Sequence, residues 1–341
     1  MPAMSLPSAR PALSVLDTTF IPAGATSAET VGFTVDLARH AEHLGYRRLW
    51  VTEHHNHLTL AAASPPVLIA HLAAHTSAIR LGAGGMLLPH HAPLAVAEQF
   101  ALLHAVHPDR IDLGVGRGAG SDSATARALL RSDPAHLADQ VAEVEAFLGH
   151  RPWPEGHPYA AVRTVPADAA PPPLWVLGSS PYGARLAAAR GLPFAFAHHF
   201  GGDTAGALRL YREVFRPSPL LDRPYALISL TAVVAPTEAE ARLHAAAQEL
   251  AQVKIARGLP DALLPAEEAA RVLGSTATPF GSRSVVGTPR VVGEELSRLA
   301  TATGADELMV VTALHDQAAR LRSYTLLAEA LPAAVSPHPA P

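Results

Sequence analysis

Cysteine is absent from this sequence, and charged residues are scarce. Without cysteine, disulfide bonds, thiolate metal ligands and a cysteine nucleophile are all excluded. Only 16% of the 341 residues are charged, Lys254 is the only lysine, and the formal net charge is −4. A nucleic-acid-binding protein usually shows a basic surplus, so that class is not expected. No uncharged apolar run approaches the roughly 18 residues of a membrane-spanning helix, so no such helix is expected either.

Apolar residues, in contrast, are abundant at 49% of the chain. That fraction supplies a large buried core and is too high for a disordered protein. The first residues contain no apolar run long enough for a secretory signal, so we expect a cytoplasmic protein. We expect one domain over residues 1–341, with a core at about 13–330 and a frayed tail at 332–341.

Short β-rich runs alternate with helical stretches along the chain. Eight strands are predicted, at Ala12–Thr19, Arg47–Thr52, Ile79–Gly84, Arg110–Val115, Leu174–Leu177, Phe194–Ala197, Tyr225–Val234 and Glu307–Val311. Eight strands, each followed by helix, predict a single (β/α)8 TIM barrel, with a doubly wound open sheet as the alternative. Residues 258–284, after the seventh strand, show no clear periodicity.

In such a barrel the chemistry lies where strands end and the following loops begin. Chemically useful residues do follow the predicted strands: Glu53, His54 and His55 after the second, Gly84 and Gly85 at the third, Arg117 after the fourth, Gly178, Ser179 and Ser180 after the fifth, and His198 and His199 after the sixth. This agreement in position predicts one site at the carboxyl end of the barrel.

Two of these loops have residues suited to an anion. Arg117 lies among glycines in the run Gly114–Gly118, and a guanidinium matches phosphate oxygens. The alternative is a tight turn with a solvated arginine. Gly178, Ser179 and Ser180 join a strand to a helix, where free amides favour an anion, although serine is also an ordinary helix cap. Together the two loops predict a shared phosphate site.

The histidines leave more alternatives open. For the Glu53–His55 segment, proton transfer, metal binding and simple packing are all considered, since histidine titrates near neutral pH. His71 and His75 are spaced like a zinc helix but lack the glutamate of that motif, and we interpret them as structural. His90 and His91 line either the site or a loop. Neither a Walker A motif nor a G-x-S-x-G elbow occurs, which argues against kinases and hydrolases.

Taken in order, several segments resemble the bacterial luciferase-like monooxygenases. The resembling segments are Leu44–His55, Ile79–Leu103, His107–Gly118, Pro173–Ser180, Gly191–Phe200 and Asp306–Thr312. The resemblance covers most of the chain and implies a barrel that binds reduced FMN, supplied by a separate flavin reductase. It also implies that a small organic substrate is oxygenated with O2 through a flavin C4a-peroxide, without a metal, by a homodimer.

The resemblance also assigns roles to individual residues. Arg117 matches the arginine that holds the flavin phosphate, and the Gly178–Ser180 loop contacts the same phosphate. His54 matches a catalytic histidine near the flavin, and Glu53 is placed with the cofactor contacts. Ala83, Gly84 and Gly85 pass beside the flavin ring, often with a non-proline cis peptide bond. A lid is implied after the seventh strand, at residues 258–284.

Two alternatives to this function stay open at the level of sequence. Some luciferase-like proteins use the deazaflavin F420 for hydride transfer, and related barrels can be non-catalytic flavin-binding proteins. The presence of both Arg117 and His54 argues against the second alternative. The sequence specifies neither the substrate nor whether light is emitted.

Overall fold

The computed structural model describes residues 11–118, 120–129, 133–259, 261–274 and 283–331. Within these ranges the chain forms nine strands: β1 Ala12–Asp17, β2 Arg48–Val51, β3 Arg80–Leu87, β4 Ile111–Gly116, β5 Leu174–Gly178, β6 Phe194–Ala197, β7 Ala226–Val234, β8 Val285–Gly287 and β9 Glu307–Val311. The helices within them are α1 Ser27–His43, α2 Pro65–Ala73, α3 Pro93–Val106, α4 Ser123–Leu129, α5 Leu137–Phe147, α6 Pro181–Arg190, α7 Thr204–Glu213, α8 Glu238–Ala256, α9 Ala266–Leu273, α10 Pro289–Thr303 and α11 Gln317–Ala330.

Eight of the strands close into a parallel barrel. Strands β1 to β7 pair in chain order, β7 pairs with β9, and β9 pairs with β1. The predicted (β/α)8 barrel is therefore confirmed. β8 is an additional short strand that extends the outer end of β7, pairing Ala232 with Val285 and Val234 with Gly287.

The barrel interior is filled mainly by large side chains. Trp50 of β2 and Trp175 of β5 meet edge to face, with ring centroids 5.2 Å apart. They pack with Leu16, Leu227 and Met309 in one buried cluster. Alternation along each strand sends these residues inward and their neighbours toward the helices. The middle of the barrel is thus packed, and open space is left for the ends.

A buried ionic network occupies the amino-terminal end of the barrel. Arg48 has no exposed surface, and its Nη1 lies 2.8 Å from Oδ2 of Asp112, while its Nε lies 2.9 Å from Oε1 of Glu307. The indole Nε1–H of Trp50 donates to the same Asp112 oxygen, at 3.0 Å. Arg48 also lies over the Trp175 ring, 4.6 Å from its centroid. This network holds Trp50 and Trp175 in place and fills the amino-terminal end of the barrel. The carboxyl end is therefore the end at which we look for a site.

The segment between β7 and β9 differs from the sequence expectation. The stretch 258–284 showed no clear periodicity, but the structure contains the helix α9 within it. α9 packs on α8, and their shared cluster includes Leu250, Leu263 and Ala269. Residues 260 and 275–282 of the expected lid lie outside the described residues, as does the predicted tail at 332–341.

None of the helices in the described ranges is long and apolar enough to cross a membrane.

Candidate functional site at the carboxyl end of the barrel

His54 lies just beyond the end of β2, facing the mouth of the barrel. Its Nδ1 is 3.0 Å from Oγ1 of Thr52, and its backbone N–H donates to the carbonyl of Ala62. Its Nε2 has no hydrogen-bond partner in the described part of the chain. Burial lowers the pKa of His54 to about 4, and the neighbouring His57 adds to the shift. At neutral pH the ring is therefore uncharged and can accept or pass a proton at Nε2.

Glu53 is the centre of a separate buried group. Its Oε1 lies 2.8 Å from Nε2 of His55 and 2.7 Å from Nε2 of His91, and its Oε2 accepts from the backbone N–H of Leu87. Burial acts to raise the pKa of Glu53, but the hydrogen bond and charge of His91 and the bonds from His55 and Leu87 outweigh it, so the pKa is lowered. Both carboxylate oxygens are thus committed to protein partners, and direct cofactor contact by Glu53 stays a prediction.

At the end of β3, the peptide bond between Gly84 and Gly85 is cis, as the family resemblance implied. The register between β3 and β4 shifts at this point, between Ala83 and Met86. A Cβ on Gly84 would lie 2.7 Å from Cδ1 of Leu16 and 3.1 Å from Cβ of Trp50. Glycine is therefore required here by packing within the barrel, whatever the ligand.

The glycine run around Arg117 corrects the sequence interpretation in part. The predicted fourth strand ends at Val115 and so contains Gly114, but the observed β4 extends one residue further and also contains Gly116. A Cβ on Gly114 would collide with the carbonyl oxygen of Ala83. Gly114 thus makes room for the irregular end of β3, and the turn itself begins at Arg117.

Arg117 lies beside the amino terminus of α6. Its side chain is exposed, and its guanidinium carbon is 4.4 Å from the ring centroid of Tyr182, in the first turn of that helix. The residue that caps α6, Ser180, makes no side-chain capping bond, so its hydroxyl is not engaged by the helix. A cation, a hydroxyl and the positive end of a helix dipole therefore meet at one place. This arrangement suits a phosphate.

The loop after β6 adds residues to which sequence reasoning gave no role. Nδ1 of His199 lies 3.2 Å from the carbonyl oxygen of Ser229 and 3.1 Å from its Oγ. His198 instead bonds Oγ1 of Thr204 through Nδ1, at 2.7 Å. Arg283 reaches across from the β7–β9 segment and donates to the carbonyl of Gly202 at 3.1 Å. The sequence shows that His199 follows a predicted strand, which makes it a candidate site residue. Nothing in the sequence indicates a role for Arg283.

Other histidines lie away from this mouth. His71 of α2 and His75, just after that helix, have ring centroids 4.5 Å apart and ring planes tilted by 53°. The structural interpretation of this pair agrees with that placement. Within the described residues, no group of three or more histidine, aspartate or glutamate side chains is arranged to hold a metal ion.

The fold is a (β/α)8 barrel in which Arg117 lies beside the amino terminus of α6 and His54 follows β2. The model of the family described as luciferase-like monooxygenase matches residues 12–307. A luciferase-like monooxygenase of Escherichia coli strain K12 is 41% identical over 324 residues, covering 92% of this chain and 95% of that protein. The chain belongs to the luciferase-like monooxygenase family, whose members are oxidoreductases.

Solved structures agree with this assignment. The crystal structure of apo-MsnO8 is 39% identical and superposes with a TM-score of 0.87, covering 94% of this chain and 98% of the other. The oxygenating constituent of 3,6-diketocamphane monooxygenase from Pseudomonas putida, in complex with FMN, has a TM-score of 0.71 at 20% identity. That alignment covers 96% of this chain and all of the other, and it shows a shared fold alone.

Proposed function

We propose that the protein is a monooxygenase that uses reduced FMN and O2 to insert one oxygen atom into a small organic substrate. The observation that carries this proposal is the position of Arg117 beside the amino terminus of α6, at the same barrel mouth as the uncharged His54. A phosphate site and a proton-transfer group at the same end of one barrel are what a phosphorylated redox cofactor requires.

The phosphate of FMN would be held at the corner between β4 and β5. Arg117 supplies charged N–H donors, and Ser179 and Ser180 supply hydroxyl groups close to the first turn of α6. Pro181 and Tyr182 open the helix, so the free backbone N–H groups begin at Tyr182. Gly178, the last residue of β5, precedes these serines. The residues present fit an anionic phosphate.

The flavin ring would lie toward the centre of the mouth, beside Ala83, Gly84 and Gly85. When bound, the reduced flavin supplies the two electrons with which O2 gives one oxygen atom to the substrate and one to water. His54 holds or moves a proton at Nε2, and Thr52 fixes the orientation of its ring. Glu53 orients the rings of His55 and His91 through its hydrogen bonds to them.

Water has to be kept out of such a site while the reaction proceeds. We propose that residues 258–284, between α8 and β8, serve as the lid. Its helix α9 is anchored on α8, and Leu263 bonds the loop after β1 through backbone contacts with Ile21 and Ala23. Arg283 ties the end of the same segment to the loop after β6. The lid segment thus touches loops on both sides of the mouth.

The remaining parts of the proposal come from the family resemblance. They are a separate flavin reductase that supplies reduced FMN, and a homodimer as the working assembly. The competing function, hydride transfer with F420, shares the barrel and differs in the cofactor.

Anaerobic titration of the protein with FMN, reduced FMN and reduced F420 tests the proposal. We expect reduced FMN to bind, and subsequent mixing with O2 to show a reoxidation phase that free reduced FMN lacks. Binding of F420 alone would establish the hydride-transfer function instead. Binding of FMN with unaltered reoxidation would indicate a non-catalytic flavin-binding protein.

A further inference from the structure

His199 has a fixed pattern of hydrogen bonding. Its Nδ1 lies 3.2 Å from the backbone carbonyl oxygen of Ser229. Because a carbonyl oxygen can only accept, this contact places the proton on Nδ1, and the Ser229 hydroxyl oxygen, 3.1 Å from the same nitrogen, then accepts as well. In an uncharged ring Nε2 then carries a lone pair and can only accept. Burial lowers the pKa of His199 to about 4, so the ring is uncharged at neutral pH.

The accepting nitrogen is not used by the protein itself. Among the residues that the structure describes, Nε2 of His199 has no hydrogen-bond partner. His199 belongs to the 3-10 helix His198–Phe200, directly after β6, and Ser229 lies on the neighbouring β7. His198 differs, because its ring is held by Thr204 at the start of α7. The two adjacent histidines are thus held by different elements.

His199 and His54 are close enough to affect each other. A proton on His199 would lower the pKa of His54. In both rings Nδ1 is bound to the protein, by Ser229 and by Thr52 respectively, while Nε2 has no hydrogen-bond partner in the described residues. The mouth therefore has two imidazoles with the same arrangement, of which the family resemblance assigns a role only to His54.

The loop that contains His199 also borders the phosphate corner. A Cβ on Gly202 would lie 3.3 Å from the carbonyl oxygen of Ser179. His199 precedes Gly202 by three residues and is electrostatically coupled to His54. His199 therefore lies in a loop that borders the phosphate corner, and its charge would act on His54.

We propose that Nε2 of His199 accepts a hydrogen bond from an uncharged O–H or N–H group of the bound flavin. This inference rests on the proposed function. Three kinds of group share the required chemistry: the hydroxyls of the ribityl chain, the ring N3–H that both redox forms carry, and the ring N–H that only the reduced flavin has. A lone pair repels a carboxylate or phosphate, so His199 does not extend the anion site.

Two substitutions of His199 separate its two nitrogens. Asparagine keeps an N–H near the position of Nδ1 and removes the acceptor at Nε2, whereas glutamine can place an amide oxygen near Nε2. We expect His199→Asn to weaken FMN binding about fivefold, the effect of one lost hydrogen bond. His199→Gln should bind within about twofold of the wild type. His198→Asn is the matched control and should bind normally.

Dissociation constants for oxidised and reduced FMN, measured anaerobically by flavin fluorescence or calorimetry, distinguish donors present in both redox forms from the donor that reduction adds. An equal loss for both forms identifies a ribityl hydroxyl or N3–H, and a loss for the reduced form alone identifies the ring N–H gained on reduction. Unchanged affinity of His199→Asn for both forms, with an unchanged unfolding midpoint, would overturn the proposal.

A measurement that begins on the flavin-free protein separates the inference about His199 from the proposed monooxygenase function. The ring 15N chemical shifts of His199, assigned by comparison with His199→Asn, report which nitrogen is protonated. We expect Nδ1 to carry the proton and the Nε2 signal to move when FMN is added. A protonated Nε2 would overturn the proposal even if FMN binds. If FMN does not bind to the wild type, the proposed function is wrong. If FMN binds but the Nε2 signal of His199 does not move, His199 does not contact the flavin and only this inference is wrong.

Discussion

At the scale of single residues, the proposed chemistry depends on His54 remaining uncharged. Burial keeps its pKa near 4, and Thr52 orients the ring without occupying Nε2. An imidazole in this state can take a proton at neutral pH and return it within one turnover. A charged imidazole could only donate.

We therefore expect His54→Ala to retain flavin binding and to lower turnover at saturating reduced FMN by about 10²-fold, as for a lost acid–base group. Steady-state rates and flavin dissociation constants measure the two quantities separately. His71→Ala, on the exposed face of α2, serves as the control and should be fully active. Full activity of the His54 variant would make that residue structural.

The positions of the site residues were predictable from sequence, whereas their partners were not. His54 and Arg117 were identified because they follow strands, and the barrel brings all strand ends to one mouth. Glu53 was assigned to the cofactor, yet its carboxylate binds His91, 38 residues further along the chain. Ser229, which sets the protonation of His199, is 30 residues away from it. Which side chains meet depends on how neighbouring strands of the barrel are aligned. Patterns within one segment of the sequence do not show that alignment.

At the scale of elements, the pairing of β3 with β4 shapes the floor of the site. The register shift at Ala83 brings the backbone of β3 toward β4, and only a residue without a side chain fits at position 114. The sequence places Gly114 in the predicted fourth strand, but it does not show that glycine is needed there, because the contact with Ala83 depends on the register between β3 and β4.

Gly114→Ala should therefore destabilise the fold by roughly 1–3 kcal/mol, the usual cost of overpacking. Urea denaturation measures this change in the free energy of unfolding. Gly118→Ala is a matched control, since the nearest atom to its Cβ would be 3.7 Å away, on Leu87. If both variants unfold at the wild-type midpoint, close packing at Gly114 is not what requires glycine.

The predicted helices and strands agree closely with the observed ones, except after β7. Helix α9 is eight residues long and buries Ala269. Ala266, Ala269, Ala270 and Leu273 do follow helical spacing, but small alanines give a weak signal in a short segment. The three-residue strand β8 carries too few residues for any period to be detected.

At the scale of the whole molecule, barrel closure is the feature that sequence patterns suggested but did not establish. β1 pairs with β9 almost three hundred residues later, through Leu13 and Leu308 among others. The count of eight strands predicted this closure, while an open sheet was equally compatible with the apolar strands. The buried network of Arg48, Asp112 and Glu307 was not predicted, because charged residues are seldom fully buried.

Buried histidines make the stability of the whole fold sensitive to acid. Burial lowers the pKa of His54, His150 and His199 to about 4. In the unfolded chain each ring titrates near its ordinary value of about 6.5. Between these values the unfolded state binds more protons, so each histidine reduces stability as the pH falls through that window.

We expect His150→Gln to reduce the slope of unfolding free energy against pH by up to about 1.4 kcal/mol per pH unit between pH 6 and 4.5. The glutamine amide can still donate to the carbonyl of Pro172, as Nε2 of His150 does. Urea denaturation across this range gives the two slopes, and His136→Gln on the exposed surface is the control. An unchanged slope would show that His150 is protonated in the folded protein.

We propose that the flavin phosphate binds between Arg117 and the amino terminus of α6. The affinities of FMN and riboflavin, which lacks the phosphate, for the wild type and Arg117→Ala test this site, with the exposed Arg185→Ala on α6 as the control. We expect Arg117→Ala to lose about 1.5–3 kcal/mol of binding free energy for FMN, as for a lost charge-assisted hydrogen bond, and none for riboflavin. Equal losses for both ligands, or no loss for FMN, would exclude Arg117 from the phosphate site.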